Sequence, residues 1–210
     1  TETYTFNGST YTYGKGEYIV GPGSGIQIEN GINAGRLIFP VYWFRTNNCS
    51  GLIYSDDHGA TWQRGGICGY GTGEIQIAEL TNGDLMASMR PSGAAGGYRW
   101  FSKSSDGGAT WGAMYRFNST NAVPDPGCQG NVFRLSTSTD SSIGHRIASD
   151  KNRLVHSNAA STSGRDHMTV RVSYDEGASW PVSRLVYTPS AAYSSLAQLA
   201  NGDIGLLFEK

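Results

Sequence analysis

An eight-residue pattern recurs three times in this chain: "SDDHGATW" at 55–62, "SSDGGATW" at 104–111 and "SYDEGASW" at 173–180. All three fit Ser-x-Asp-x-Gly-x-Thr/Ser-Trp, with starts 49 and then 69 residues apart. Self-similarity of this kind constrains the fold strongly, because each copy must belong to a supersecondary unit that stacks on its neighbours. The octet has the chemistry of a turn. Asp57, Asp106 and Asp175 are suited to accept hydrogen bonds from backbone N–H groups two or so residues on. Gly59, Gly108 and Gly177 allow a positive φ. Trp62, Trp111 and Trp180 then open the next strand and are expected to bury a large ring. The segments "GLIYS", "YRWFSKS" and "MTVRVS" that precede the octets read as strands, so each unit is a β-hairpin.

A second hairpin type interleaves with the first. "AELTNGDLMASM" and "AQLANGDIGLLF" are each strand, Asn-Gly, strand, and Asn-Gly predicts a two-residue type I′ turn. "ENGINAGRLIFPVYW" is a looser third copy. One hairpin of each type per blade predicts an all-β fold, a β-propeller of which about three to four blades are present, fewer than most closed rings contain. The 29 Gly, 12 Tyr and 5 Trp agree with β-structure, and no long window carries helical periodicity. A formal net charge of −1 without basic runs excludes a nucleic-acid partner, and no apolar stretch is long enough to span a membrane. His58, His145, His156 and His167 lack ligand spacing, so no metal and no cofactor is expected. Cys49, Cys68 and Cys128 are too few for a disulfide scaffold. Cys49 and Cys68 flank one predicted hairpin, and a bridge between them and three buried free thiols both remain open. Sequons at Asn7, Asn48 and Asn118 fit a secreted or extracellular protein.

Two of the hairpins carry polar residues 16 positions apart: Glu74 with Arg90, and Tyr193 with Glu209. An ideal two-residue turn would put Glu74 and Arg90 on opposite faces of their hairpin, so a bulge or a curled strand end is required if they are to meet.

The octet resembles the Asp box of the sialidases (neuraminidases). "GPGSGIQ" followed by "GRLIFPVYW", "GEIQIAEL…MR", "GRDHMTVRVSYDEGASWP" and "YSSLAQLANGDIGLLFE" extend the resemblance, in the family's order, over nearly all of residues 18–209. It implies a six-bladed propeller with its active site near the central axis and the Asp boxes at the periphery as structural turns. It also implies an exo-α-sialidase, a retaining glycoside hydrolase that removes terminal sialic acid from glycoconjugates, with sialylated glycans or glycoproteins as partners. The family's nucleophile falls on Tyr193 and its partner base on Glu74. A neutral phenol suits a substrate with a carboxylate on its anomeric carbon, since a carboxylate nucleophile would approach one anion with another. Two of the family's three carboxylate-binding arginines fall on Arg90 and Arg165, where guanidinium offers paired donors and a fixed charge. Glu209 matches the glutamate that orients the first arginine, Gln27 and Gln129 are candidates for the substrate's glycerol side, and Arg171 reads as structural.

The pattern also breaks. The family's Phe/Tyr-Arg-Ile-Pro motif is absent, since "HRIAS" at 145–149 lacks the proline and lies elsewhere in the order. The acid/base aspartate is unassigned, and the final strand beyond Glu209 is missing. The expectation is therefore that residues 1–210 are the C-terminal part of a sialidase catalytic domain, cut at both ends, with the N-terminal part of the propeller as its partner on the same or a second chain. A trans-sialidase would carry the same residues. A sialic-acid-binding propeller without turnover would keep the arginines and could dispense with Tyr193 and Glu74.

Overall fold

A computed structural model describes residues 2–6, 9–13, 18–43, 48–92, 97–117, 122–138 and 151–210. Asn7, Asn118 and the segment 145–149 lie outside the described residues. The described chain is built of strands and turns. It opens with β1 (Glu2–Phe6) and β2 (Ser9–Tyr13), which pair with each other, and continues with β3 (Ile19–Val20), β4 (Ile26–Gln27), β5 (Leu37–Trp43), β6 (Cys49–Ser55) and β7 (Gln63–Tyr70) in one sheet. β8 (Thr72–Glu79), β9 (Leu85–Pro91) and β11 (Trp100–Ser104) form the next, and a bridge from Phe101 to Tyr115 adds an outer segment. The short β10 (Gly97–Tyr98) pairs with β12 (Pro124–Asp125). A four-stranded meander follows, β13 (Gly130–Ser136), β14 (Arg153–Ala159), β15 (Asp166–Ser173) and β16 (Val182–Ser190), and then the hairpin β17 (Ser194–Gln198) and β18 (Ile204–Phe208).

The apolar faces of successive sheets meet, as blades do. Ile38, Leu52, Ile75, Ile77, Leu85 and Met89 join the first sheet to the second. Met86, Phe101, Val132, Leu154 and Trp180 join the second to the third, and Leu135, Val155 and Leu196 join the third to β17. Side chains alternate along the C-terminal half of β15, where Thr169, Arg171 and Ser173 are buried and Val170 and Val172 half-buried, because successive residues of a strand point to opposite faces.

Each octet turns the chain after the third strand of its sheet, following β6, β11 and β15. The aspartate reaches four residues on rather than two. Asp57 Oδ1 accepts the Thr61 N–H at 2.8 Å and Oδ2 the Thr61 hydroxyl at 2.6 Å, and Asp106 and Asp175 repeat the arrangement on Thr110 and Ser179. These hydrogen bonds, first of all that from the Thr61 hydroxyl, pull Asp57 down to about 2. The expected burial of the octet tryptophans holds for Trp180, 4% exposed, and fails for Trp62, 39% exposed. Trp62 is held at the surface by its Nε1–H donating to Gly59 O and by contact with Phe39. All three cysteines are buried thiols outside any disulfide.

The Asn-Gly turns also differ from expectation. Type I′ needs positive φ at both central residues. Here Gly83 (φ 84°) and Gly202 (φ 87°) are left-handed, and their asparagines are not. Leu80 N–H donates to Asp84 O at 2.7 Å and Gly83 N–H to Leu80 O at 3.0 Å, which makes a right-handed turn closed by a glycine bulge. The reason lies one residue beyond the dipeptide: Asn82 Oδ1 accepts the Asp84 N–H at 3.1 Å and its Nδ2 donates to the Asp84 carboxylate at 2.8 Å. Asn201 and Asp203 form the same pair. The bulge adds one residue to the loop and sets the register Glu79↔Leu85 through Ile75↔Met89. Beyond Ile75 the register shifts before Thr72↔Pro91, and on that irregular step the Glu74 and Arg90 side chains meet.

In an up-and-down meander the turn between strands one and two and the turn between strands three and four lie at the same end. The Asn-Gly turns and the Asp boxes therefore share one end of the molecule, and contacts between sheets bear this out. Arg36 pairs with Asp56 at 2.7 Å and donates to Gly107 O at 3.0 Å, while Glu176 accepts the Thr81 N–H at 3.0 Å and pairs with Arg134. The opposite end is left for the starts of first strands and the ends of second strands.

Candidate active site

That opposite end gathers the polar residues singled out in the sequence. Glu74 lies near the start of β8, Arg90 near the end of β9, Arg165 just ahead of β15, Tyr193 just ahead of β17 and Glu209 just past β18. Glu74 is buried, 3% exposed, and both its oxygens are engaged. Oε2 accepts from Arg90 Nη1 at 2.7 Å, and Oε1 accepts a short hydrogen bond from the Tyr193 hydroxyl. Arg90 Nη1 also lies 3.5 Å from that hydroxyl, and the Arg165 guanidinium sits 5.6 Å above the Tyr193 ring. Burial first, and then the hydrogen bond to Glu74, push the Tyr193 phenol up to about 12. Burial pulls Arg90 down, but its bond to Glu74 and that carboxylate's charge reverse the effect, and the guanidinium is held above its ordinary value.

Glu209 completes the hairpin pair opposite Tyr193. Its N–H donates to Tyr193 O at 3.0 Å and its Oε2 accepts the Tyr193 N–H at 3.3 Å. Gln129 is buried against Ser194, with its carboxamide engaged by that residue's backbone. Gln27 is not brought to this group. It lies at the Asp-box end, exposed, and its Nε2 donates to Gly35 O at 3.2 Å in the loop that closes β4 and β5. Arg171 is buried and donates to Asn158 Oδ1 at 3.1 Å, a structural place as expected.

Two residues escaped the sequence reading. Tyr42 on β5 is buried close enough to Glu74 and Arg90 to feel both: burial, then the Glu74 charge, raises its phenol and Arg90 lowers it. Inside "FPVYWF" nothing distinguishes it from a packing tyrosine, although its place at the end of a second strand is a usable signal. Arg99 is fully buried and forms an ion pair with Asp125 at 2.7 Å, beneath the segment that carries Gln129. An arginine one residue before "WFSKS" reads as a solvated strand end.

Comparison with known proteins bears on this arrangement directly. The BNR repeat-like domain family matches residues 2–206. The chain belongs to that family. Among BNR-repeat relatives, it is 37% identical over 192 residues to a sialidase of Micromonospora viridifaciens, covering 89% of this chain and 28% of that protein. Among solved structures it resembles a Hadza microbial sialidase, with a TM-score of 0.76 and 29% identity over 91% of this chain and 35% of the other. It also resembles the intramolecular trans-sialidase from Ruminococcus gnavus, with a TM-score of 0.74 and 31% identity over 92% of this chain and 40% of the other. The expected sialidase family with Asp-box repeats is thus the family found, and the fold matches sialidase propellers, although the sheets of the described residues do not close into a ring. The BNR-repeat chain spans about a quarter to a third of the curated relatives it matches.

Proposed function

We propose that this chain is the C-terminal part of an exo-α-sialidase catalytic domain that cleaves terminal sialic acid from glycans by a retaining mechanism. The observation that carries the reading is the Tyr193–Glu74 hydrogen bond, with Arg90 on the other carboxylate oxygen and Arg165 above the ring. Arg90 and Arg165 hold the sugar carboxylate by charge and paired donors. Tyr193 Oη attacks the anomeric carbon, the bond to the leaving oxygen breaks, and Glu74 takes the phenol proton. Water then attacks the same carbon and gives a proton to the group that protonated the leaving oxygen, the bond to Tyr193 Oη breaks, and Glu74 returns its proton to the phenoxide. Two inversions retain the configuration. Glu209 supports the site from across the β17–β18 hairpin. The leaving-group acid and the third arginine are not assigned to residues of this chain. The sialylated substrates are carried on glycoproteins and cell surfaces, and the sequons accord with secretion into that setting.

The test is hydrolysis of a fluorogenic sialic acid glycoside by the full-length protein that contains this chain, beside its Tyr193→Phe variant. Turnover that Tyr193→Phe reduces by a thousandfold or more is expected, and unchanged turnover in the variant would remove the nucleophile from Tyr193. The likeness to an intramolecular trans-sialidase favours a second outcome, in which a hydroxyl of the sugar itself replaces water. Mass analysis separates the two, since the intramolecular product is one water lighter than free sialic acid.

A further inference from the structure

We propose that Gln129 is a positioning residue for Tyr193: its carboxamide clamps the backbone of Ser194 and so fixes where the neighbouring phenol meets Glu74. The inference rests on the sialidase reading above. Gln129 Oε1 accepts the Ser194 N–H at 2.9 Å and Nε2 donates to Ser194 O at 3.0 Å. Both polar atoms of the side chain are therefore spent on one residue's main chain, in the manner of a ladder pair between strands. Turning the carboxamide towards a substrate would cost both bonds and leave buried backbone groups unpaired. Among the described residues β17 has a ladder partner on one side only, β18. On the other side Gln129 is the fastening, helped by the Ser194 hydroxyl, which lies 2.8 Å from Ser157 Oγ on β14.

The mount of the clamp is itself fixed. Arg99 Nη1 donates to Cys128 O at 2.7 Å and Nη2 to Gly130 O at 3.2 Å, so one guanidinium grips the carbonyls on either side of Gln129. Asp125 balances that charge and accepts the Gly127 and Cys128 N–H groups at 2.8 and 2.9 Å. A side chain at Gly130 would put its Cβ 2.9 Å from Ser157 O and 3.1 Å from Arg99 Nη1, so only glycine allows this close approach. The chain of contacts runs from a buried ion pair, through a side-chain amide, to the residue that follows the nucleophile. A small slip of Ser194 passes through one peptide to Tyr193.

The test compares wild type, Gln129→Leu and Gln129→Glu in the full-length protein. A displacement of about 1 Å in a reacting group is worth up to about a hundredfold in rate. Gln129→Leu is expected to lower kcat by roughly 10- to 100-fold with KM changed by less than about threefold. Gln129→Glu loses the donor at neutral pH and sets a carboxylate against Ser194 O. Protonation restores a donor and an acceptor, so its kcat relative to wild type should recover as pH falls through the carboxyl range. Hydrogen–deuterium exchange gives a readout free of turnover: the peptide spanning 191–198 should exchange faster in Gln129→Leu while peptides from β5 and β6 do not. Unchanged kcat with a raised KM would make Gln129 a substrate contact and overturn the proposal. Faster exchange in every peptide, with no acid recovery in Gln129→Glu, would reduce it to packing and overturn it equally. If wild type turns nothing over while exchange at 191–198 responds as expected, the clamp stands and the sialidase reading fails.

Discussion

Tyr193 waits as a neutral phenol. Its elevation to about 12, from burial and then from Glu74, keeps the phenol uncharged at neutral pH, as the proposed reading requires of a group that meets an anionic sugar. A raised value in the folded state favours the protonated form, so this group contributes stability below its ordinary value of 10.0 and loses it between there and about 12. Glu74→Gln removes the base and its charge. It is expected to cut turnover of the full-length protein by about 10²- to 10⁴-fold and to bring the phenol down from about 12. Phenolate absorbance, taken as the difference between variants with and without Tyr193, checks the second effect. At this scale the sequence was legible in which residues come together, as for Glu74, Arg90, Arg165 and Tyr193. Tyr42 and Arg99 were not, because a lone tyrosine in a strand and a lone arginine at a strand end carry no local mark, and only packing shows what they face.

The Asp boxes and the Asn-Gly turns belong to the scale of the element. Each octet aspartate joins its serine, a backbone N–H and a hydroxyl four residues on, and all three copies sit at corresponding corners of their sheets. Asp106→Ala strips one such corner of its acceptors and leaves the Thr110 N–H without its partner. About 1–3 kcal/mol of unfolding free energy is expected to be lost, read by urea denaturation, with little change in turnover because the corner lies at the end away from Tyr193. The octets announced these hairpins plainly. The Asn-Gly dipeptides announced turns but gave the wrong kind, because the deciding bonds run from Asn82 to Asp84, outside the two residues on which the expectation rested. Burial of Trp62 was misjudged for a similar reason: it packs on Phe39 of its own sheet, itself exposed, whereas Trp180 packs into the core between the second and third sheets.

Across the described residues the sheets are held by their apolar faces and by a deeply buried charge pair. Arg99 and Asp125 are fully enclosed, and the guanidinium also donates to Ser88 Oγ at 3.0 Å, so β9 and the segment leading into β13 share a single cation. Arg99→Met leaves Asp125 buried without its partner. It is expected to cost about 3–5 kcal/mol in thermal or urea unfolding, more than a surface arginine would. The stacked arrangement of hairpins was readable from the repeat alone. How sheets lock together was not, since the locking groups, Arg36 with Gly107, Glu176 with Thr81 and Arg99 with Asp125, pair residues 26 to 95 positions apart in sequence.

The glycine bulge at Gly83 gives the far turn an odd count where a two-residue turn would be even. The pairs from Glu79↔Leu85 to Ile75↔Met89 carry that parity along the hairpin, up to a register shift between Ile75 and Thr72. The meeting of Glu74 with Arg90 is therefore phased by that corner together with the shift beside Glu74. Shortening that corner by one residue would leave both side chains in the protein and the hairpin intact, yet send one of them to the opposite face. Loop exchange at Asn-Gly turns, ordinarily the most forgiving kind of engineering, is expected to act here as an on–off change in the candidate site.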